Sequence, residues 1–173
     1  MIIKDKVSFL IAVYNGENVI EFTINNIISN LSRFTNLEYE IIIIDDNSND
    51  KTWDTLKKLT NLSSKILIFK NDKNLGFSST IYKAMELSSG NYIKLMHAAD
   101  FENTNLSEFL SNYKNYDILL VDLKDNRDFL RKNLSVFCNS IFRIITSKKI
   151  TYYSSAFLCS KDLFKSSFVE KNY

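Results

Sequence analysis

Three polar stretches of this sequence carry residue types that could do chemistry, and each stands at the end of an apolar run. Tyr14 closes the run V-S-F-L-I-A-V-Y, the pair Asp45-Asp46 follows four isoleucines, and H-A-A-D, from His97 to Asp100, follows Y-I-K-L-M. A carboxylate only accepts hydrogen bonds, so it selects a ligand with a donor edge. Imidazole nitrogens and carboxylate oxygens can also bind divalent metals. The stretch from His97 to Asp100 is therefore either the end of a structural strand or a place where a metal and a phosphate meet.

The elements that must position these residues alternate between strands and helices. Short β-branched and aromatic runs predict strands at 7–14, 39–44, 65–70 and 92–96. Apolar residues near helical spacing predict helices at about 17–34, 50–59 and 78–87. Since no hairpin signal separates these elements, the order favours parallel strands joined by right-handed crossovers. Ligands of such sheets bind beyond the carboxyl ends of the strands, so the polar stretches should converge on one edge.

The pattern changes after Asp100. The sequence there predicts a short helix at 106–113, a strand at 117–122, a basic segment with apolar periodicity at 127–145, a β-like stretch at 150–158 and a final helix near 161–168. No internal repeat, low-complexity tract or linker is evident. We therefore expect a single domain over residues 1–173.

Composition limits the classes of function. The formal net charge of +2 is too small for a nucleic-acid binder, which usually carries a clustered basic face. The two cysteines, Cys138 and Cys159, do not make a disulfide framework and indicate a reducing cytoplasm. No run approaches about 18 consecutive apolar residues, so no segment is expected to span a bilayer.

Two common nucleotide sites do not fit the sequence. A Rossmann dinucleotide site needs a Gly-rich turn after the first strand, whereas this chain has only three glycines and continues as Y-N-G-E. A Walker P-loop needs G-K-[ST], which is missing.

Four motifs in order give a different identification. V-S-F-L-I-A-V-Y-N-G-E-N-V-I, E-I-I-I-I-D-D-N-S-N-D-K-T, N-L-G-F and S-S-G-N-Y-I-K-L-M-H-A-A-D resemble the family 2 glycosyltransferases, over roughly the first hundred residues. The resemblance implies the GT-A fold, a Rossmann-like α/β domain with a mostly parallel central sheet flanked by helices on both faces. It also implies an inverting, hexosyltransferase-type enzyme of cell-envelope polysaccharide synthesis. The donor would be a nucleotide-diphosphate sugar linked to UDP or GDP.

The resemblance assigns roles to residues of the first two motifs. Tyr14 would wall the base pocket, and Asp46 would accept a hydrogen bond from the ring N–H of uracil or guanine, with Asp45 orienting the same region. Glu17 stands where the family carries an acid, although it also fits a solvated acid at a helix N-terminus. The alternative for the pair of aspartates is that they end a strand and cap a helix.

The resemblance also assigns roles to the next two motifs. Asn74 and Gly76 belong to a loop that the family places beside the nucleotide, where glycine permits close backbone approach, although a plain turn fits equally well. The family carries D-x-D or D-x-D-D where this sequence has H-A-A-D, and those acids hold Mg²⁺ or Mn²⁺ against the diphosphate. Asp100 would then be the catalytic metal ligand, with His97 as a second ligand that favours Mn²⁺.

The segment from Asp122 to Ile150 resembles the part of polyprenyl-phosphate glycosyltransferases that follows the metal motif. Arg127 and Arg131, at i and i+4, would hold the phosphate of a lipid-phosphate acceptor or the donor diphosphate. The same residues could instead form a solvated basic face. With the neighbouring apolar positions the segment could lie at an anionic membrane surface, which would make a cytoplasmic protein peripheral to the membrane.

Two hypotheses about activity stay open. Family members are generally longer, so part of the acceptor side is expected to be missing from this chain. The altered metal motif and the length favour the alternative of a nucleotide-sugar-binding homologue without activity that serves as a partner subunit.

Overall fold

The fold was analysed in a computed structural model that describes residues 5–98, 110–111, 113–115, 117–120 and 157–169. The strands are β1 (Lys6–Val13), β2 (Glu38–Asp45), β3 (Ile66–Lys70), β4 (Tyr92–His97), β5 (Ile118–Leu120) and β6 (Phe157–Ser160). The helices are α1 (Ile20–Leu31), α2 (Thr52–Leu59), α3 (Phe77–Leu87) and α4 (Lys161–Val169), and short 3-10 turns occupy Thr60–Leu62 and Tyr113–Asn115.

The described strands form one six-stranded sheet in the order β3-β2-β1-β4-β6-β5. The first four strands along the chain pair in parallel, whereas β6 runs antiparallel to both β4 and β5. The prediction of a mostly parallel sheet is confirmed. The β-like stretch expected at 150–158 overlaps β6 only at its end. The basic segment predicted at 127–145 and most of the helix predicted at 106–113 lie outside the described residues.

Helices cover both faces of the sheet. On one face α1 and α2 pack with the side chains of Phe9, Ile41 and Ile43; on the other, α3 and α4 pack with those of Leu10, Ile42 and Ile44. All four isoleucines of β2 are completely buried, because a strand between two helical layers has no polar face.

A buried carboxylate fastens the amino-terminal edge of the sheet. Glu40 accepts hydrogen bonds from Lys6 Nζ, Ser8 Oγ and the backbone N–H of Ser89, each at 2.6 Å. Burial alone would raise its pKa, but these donors outweigh burial and lower the pKa to about 2. Gly90 is required beside this network because a Cβ there would stand 2.7 Å from the carbonyl oxygen of Lys6. The charge of Glu40 therefore joins β1, β2 and the loop before β4 at the edge away from the predicted site.

The described part of the chain lacks both a membrane-spanning helix and a cluster of metal-binding side chains. No helix there is long and apolar enough to cross a membrane. No cluster of three or more His, Cys, Asp or Glu residues there could hold a metal ion. Cys159 is free and buried, and burial raises the pKa of its thiol to about 11.

Candidate functional site

The strand register brings the predicted polar stretches to one edge of the sheet. Val13 pairs with Asp45 across β1 and β2, and Ala12 pairs with His97 across β1 and β4. Neighbouring strands lie about 4.8 Å apart, so the backbones of Asp45 and His97 are separated by roughly 10 Å. The carboxyl ends of β2, β1 and β4 therefore form one continuous edge.

Hydrogen bonds join the loop that follows β1 to the loop that follows β2. The N–H of Asn15 donates to Ser48 Oγ at 2.9 Å, and Asn15 Oδ1 accepts from the N–H of Asn49 at 2.9 Å. The N–H of Gly16 donates to Thr52 Oγ1 at 2.8 Å. Asn15 adopts a positive φ of 50°, a conformation that asparagine tolerates better than most residues. The two loops thus form one braced unit at the edge.

Glu17 belongs to this brace. Its Oε2 accepts the N–H of Lys51 at 2.8 Å, directly before α2, and its own N–H donates to Asp50 Oδ2 at 3.1 Å. The helix that Glu17 was expected to begin starts at Ile20 instead. Glu17 therefore stabilises the start of α2, which adds a structural role to the two interpretations drawn from the sequence.

Asp46 anchors the third loop of the edge. Its Oδ1 accepts hydrogen bonds from Asn71 Nδ2 at 2.8 Å and from the N–H of Leu75 at 2.9 Å, and its Oδ2 accepts the N–H of Gly76 at 2.9 Å. Burial acts to raise its pKa, but the hydrogen bonds outweigh burial and the pKa lies below the ordinary value of an aspartate. Asp46 is thus an ionised group whose two oxygens both hold the chain.

Asp45 differs from its neighbour. Its Oδ1 accepts the N–H of Ser48 at 3.0 Å, and its Oδ2 lies 3.5 Å from Lys70 Nζ. Although the side chain is completely buried, Oδ2 accepts no hydrogen bond from any described residue. The Lys70 ammonium lies 5.7 Å from the centre of the Trp53 ring and is partly exposed. Asp45 therefore has a buried oxygen that accepts no hydrogen bond from a described residue and lies beneath a partly exposed lysine.

The loop from Asn74 to Gly76 presents backbone to solvent. Gly76 has a φ of +80°, which L side chains rarely adopt, and no atom lies within 4 Å of where its Cβ would be. Asn74 Oδ1 accepts the N–H of Gly76 at 3.1 Å. On the β1 side of the edge, Tyr14 is 48% exposed. A ligand could approach the Gly76 backbone closely at this point.

The structure accounts for some of the predicted site residues and not for others. Six of them lie at this one edge, either at the end of β2 or on the loops that follow the strands: Tyr14, Glu17, Asp45, Asp46, Asn74 and Gly76. His97 ends β4, although its side chain is outside the described residues, as are Asp100, Arg127 and Arg131. Sequence reasoning missed Asn71, Lys70 and Lys83. Asn71 follows β3 directly, so the rule that polar residues gather after parallel strands could have found it.

The architecture defines an α/β domain of the GT-A type. Residues 8–107 match the sequence model of Glycosyl transferase family 2, and the chain belongs to that family. A search of curated protein sequences found no significant match.

Three solved structures illustrate the likeness in fold. S. aureus TarS 1–349 in complex with UDP superposes with a TM-score of 0.68 at 19% identity, covering 94% of this chain and 48% of that one. The mannosyltransferase PcManGT from Pyrobaculum calidifontis, in complex with GDP-Man and Mn²⁺, gives 0.68 at 14% identity, covering 96% and 48%. Glucosyl-3-phosphoglycerate synthase from Mycobacterium tuberculosis, in complex with Mn²⁺, UDP and glucosyl-3-phosphoglycerate, gives 0.70 at 16%, covering 94% and 59%. The chain thus spans about half the length of these proteins.

Proposed function

We propose that this chain is the donor-binding part of an inverting glycosyltransferase that takes a sugar from UDP or GDP. The observation that carries the proposal is the shared edge, where an unused buried carboxylate, a braced pair of loops and an open glycine backbone lie at adjoining strand ends. The acceptor oxygen would attack the anomeric carbon as the bond to the donor phosphate breaks, and the nucleoside diphosphate would leave.

The base of the donor would be read by Asp45. Its Oδ2 is buried beneath Lys70 Nζ, 3.5 Å away, and accepts no hydrogen bond from a described residue. With Lys70 displaced by the donor it could accept the ring N–H of uracil or guanine, whereas the oxygens of Asp46 already accept three hydrogen bonds. This exchanges the roles that the sequence suggested for the two residues, since Asp46 then acts by fixing the loop. Tyr14 would wall the base on its exposed side.

The diphosphate would lie between the Gly76 loop and the end of β4. The open space at Gly76 supports this position, because a phosphate can approach the backbone there without a side chain between them. His97 and Asp100 are a nitrogen and an oxygen donor three residues apart at a strand that ends on this edge, which suits Mn²⁺ better than Mg²⁺. A bound Mn²⁺ would neutralise charge on the leaving diphosphate.

The acceptor would be a polyprenyl phosphate or another glycan precursor. A phosphate acceptor is already an anion and needs no strong general base, and the sequence after residue 150 offers only Asp162 and Glu170 as acids. Arg127 and Arg131 would hold the acceptor phosphate. This part of the proposal depends on the sequence resemblance.

Thermal shift with a panel of nucleotides tests donor binding. UDP or GDP, with Mn²⁺, should raise the melting temperature by about 5 to 10 °C at a hundredfold excess over Kd. CDP and ADP should have less effect, because the matching ring nitrogen of their bases is an acceptor. Asp45→Asn should weaken UDP or GDP binding by about tenfold or more, since it removes a charged acceptor.

Asp54→Asn is the matched control. Asp54 is an exposed aspartate of α2 that pairs only with a neighbouring lysine on the same helix, so this variant should bind like the wild type. Equal loss in both variants, or no nucleotide-dependent shift in any combination, would refute the proposed site. Release of UDP or GDP from the matching sugar nucleotides with Mn²⁺ then separates an enzyme from a homologue that only binds.

A further inference from the structure

A buried polar network lies beneath the loop from Asn74 to Gly76. Asn71, 2% exposed, uses every polar atom of its side chain: Nδ2 donates to Asp46 Oδ1 at 2.8 Å and to Thr80 Oγ1 at 3.0 Å, and Oδ1 accepts Lys83 Nζ at 2.7 Å. Thr80 and Lys83 come from one face of α3, at i and i+3. The network therefore joins the ends of β2 and β3 to the side of α3.

Lys83 reinforces the orientation of the Asn71 amide. An ammonium group only donates, so Lys83 can bind only the oxygen of the Asn71 amide. The NH₂ group must then face Asp46 and Thr80. The Asp46 carboxylate only accepts, so it favours the same orientation from the other side of the amide. The lysine thus adds a charge-assisted hydrogen bond that holds the amide in the orientation that supports Asp46.

The network ends on two backbone N–H groups. Asp46 accepts a hydrogen bond from the Asn71 amide and also accepts the N–H groups of Leu75 and Gly76. Residues 74 to 79 are all exposed, so packing contributes little to the loop conformation. The positive φ of Gly76 must therefore be maintained largely by these hydrogen bonds.

From this chain of contacts we infer that Lys83 is a positioning residue for donor binding, acting through Asn71 and Asp46 on the Gly76 loop. The inference rests on the proposed function, since it assigns the loop to the sugar nucleotide. Lys83 itself need not touch the donor. Its effect is to keep the loop in one conformation before the donor arrives, which lowers the conformational cost of binding.

Hydrogen exchange and UDP or GDP titration with Mn²⁺ test the inference together. Lys83→Met keeps the length of the side chain and removes the donor. It should speed exchange of the Leu75 and Gly76 amides by about tenfold and raise Kd by a similar factor, the worth of one charge-assisted hydrogen bond. Lys83→Arg should restore most of both values, because a guanidinium can donate to the same oxygen. Lys57→Met, an exposed lysine of α2, is the matched control and should change neither.

The outcomes are distinct. Unchanged amide exchange in Lys83→Met would overturn the relay, and faster exchange with unchanged Kd would overturn its role in binding. If Lys83→Arg restored neither amide exchange nor Kd, the positioning role would also be overturned, because the relay requires only a hydrogen-bond donor at that point. If the wild-type chain binds neither nucleotide, the proposed function fails and the positioning role with it, while amide exchange still reports whether the relay exists. Thr80→Val, which replaces the hydroxyl by a methyl group, should give a smaller effect in the same direction.

Discussion

Replacing Asp46 by asparagine perturbs the donor edge with almost no change in shape. The aspartate accepts three hydrogen bonds, two on Oδ1 and one on Oδ2. An asparagine has one oxygen and one NH₂ group in place of the two carboxylate oxygens. In its better orientation the NH₂ group would face the N–H of Gly76. In the other orientation it would face both the N–H of Leu75 and the NH₂ group of Asn71. The variant therefore loses at least one charge-assisted hydrogen bond and creates a contact between two donors.

The magnitude follows from those contacts. A hydrogen bond to a charged group contributes about 1.5–3 kcal/mol. Because Leu75 and Gly76 are exposed, water can replace part of the loss, which places the expected cost in free energy of unfolding near the lower end, at about 2 kcal/mol. For a chain of this size that corresponds to a fall in melting temperature of roughly 4 to 8 °C. The affinity for UDP or GDP should fall about tenfold as the loop loses its fixed conformation.

Urea unfolding and calorimetric titration measure the two effects on the same preparation. Glu40→Gln serves as the comparison, because it also removes a buried carboxylate but lies at the opposite edge of the sheet. It should lower stability without changing nucleotide affinity. If Asp46→Asn changes the unfolding free energy by less than about 0.5 kcal/mol and leaves affinity intact, the assignment of Asp46 to the loop is refuted.

Three further predictions concern stability and the glycines. The pKa of Glu40 is about 2 against an ordinary 4.5, so its ionised form stabilises the fold by up to about 3 kcal/mol at neutral pH. Since the folded pKa is the lower one, this contribution should disappear as pH falls from about 4.5 towards 2, and urea unfolding of Glu40→Gln should lack that part of the pH dependence. Gly76→Ala should cost about 1–3 kcal/mol in urea unfolding, because a φ of 80° with a ψ of 161° is a conformation almost restricted to glycine. It should also weaken UDP or GDP binding by closing the open space, as titration would show, and affinity equal to wild type would argue against a phosphate there. Gly90→Ala should cost about 1–3 kcal/mol in urea unfolding because its Cβ meets the Lys6 carbonyl, with nucleotide affinity preserved.

Most of the parallel part of the fold was predictable from local pattern. The isoleucine run 41–44 predicted a strand buried on both faces, and the alternation with helices predicted crossovers, because each signal depends on residues near one another in the chain. The antiparallel entry of β6 was not predicted. It depends on where a distant segment returns to the sheet, and no local spacing encodes that.

The roles within the site were less predictable than its position. Asp45 and Asp46 are adjacent and chemically identical, so the sequence cannot tell which one keeps a free oxygen. The answer depends on the loop after β3, whose N–H groups return to Asp46. The same return explains why Asn71 and Lys83 were missed, since each has a function only through a partner that is distant in sequence.

Paramagnetic broadening by Mn²⁺ with UDP or GDP is the sharpest test of a donor site at the carboxyl ends of the parallel strands. In a backbone amide spectrum we expect selective loss of signals from residues 14–17, 45–49 and 74–77, the three loops at those strand ends. Amides of residues 38–40 and 89–91, at the opposite edge, should keep their intensity. Broadening centred on that opposite edge, or no nucleotide-dependent broadening at the three loops, would contradict a donor site at this edge of the sheet.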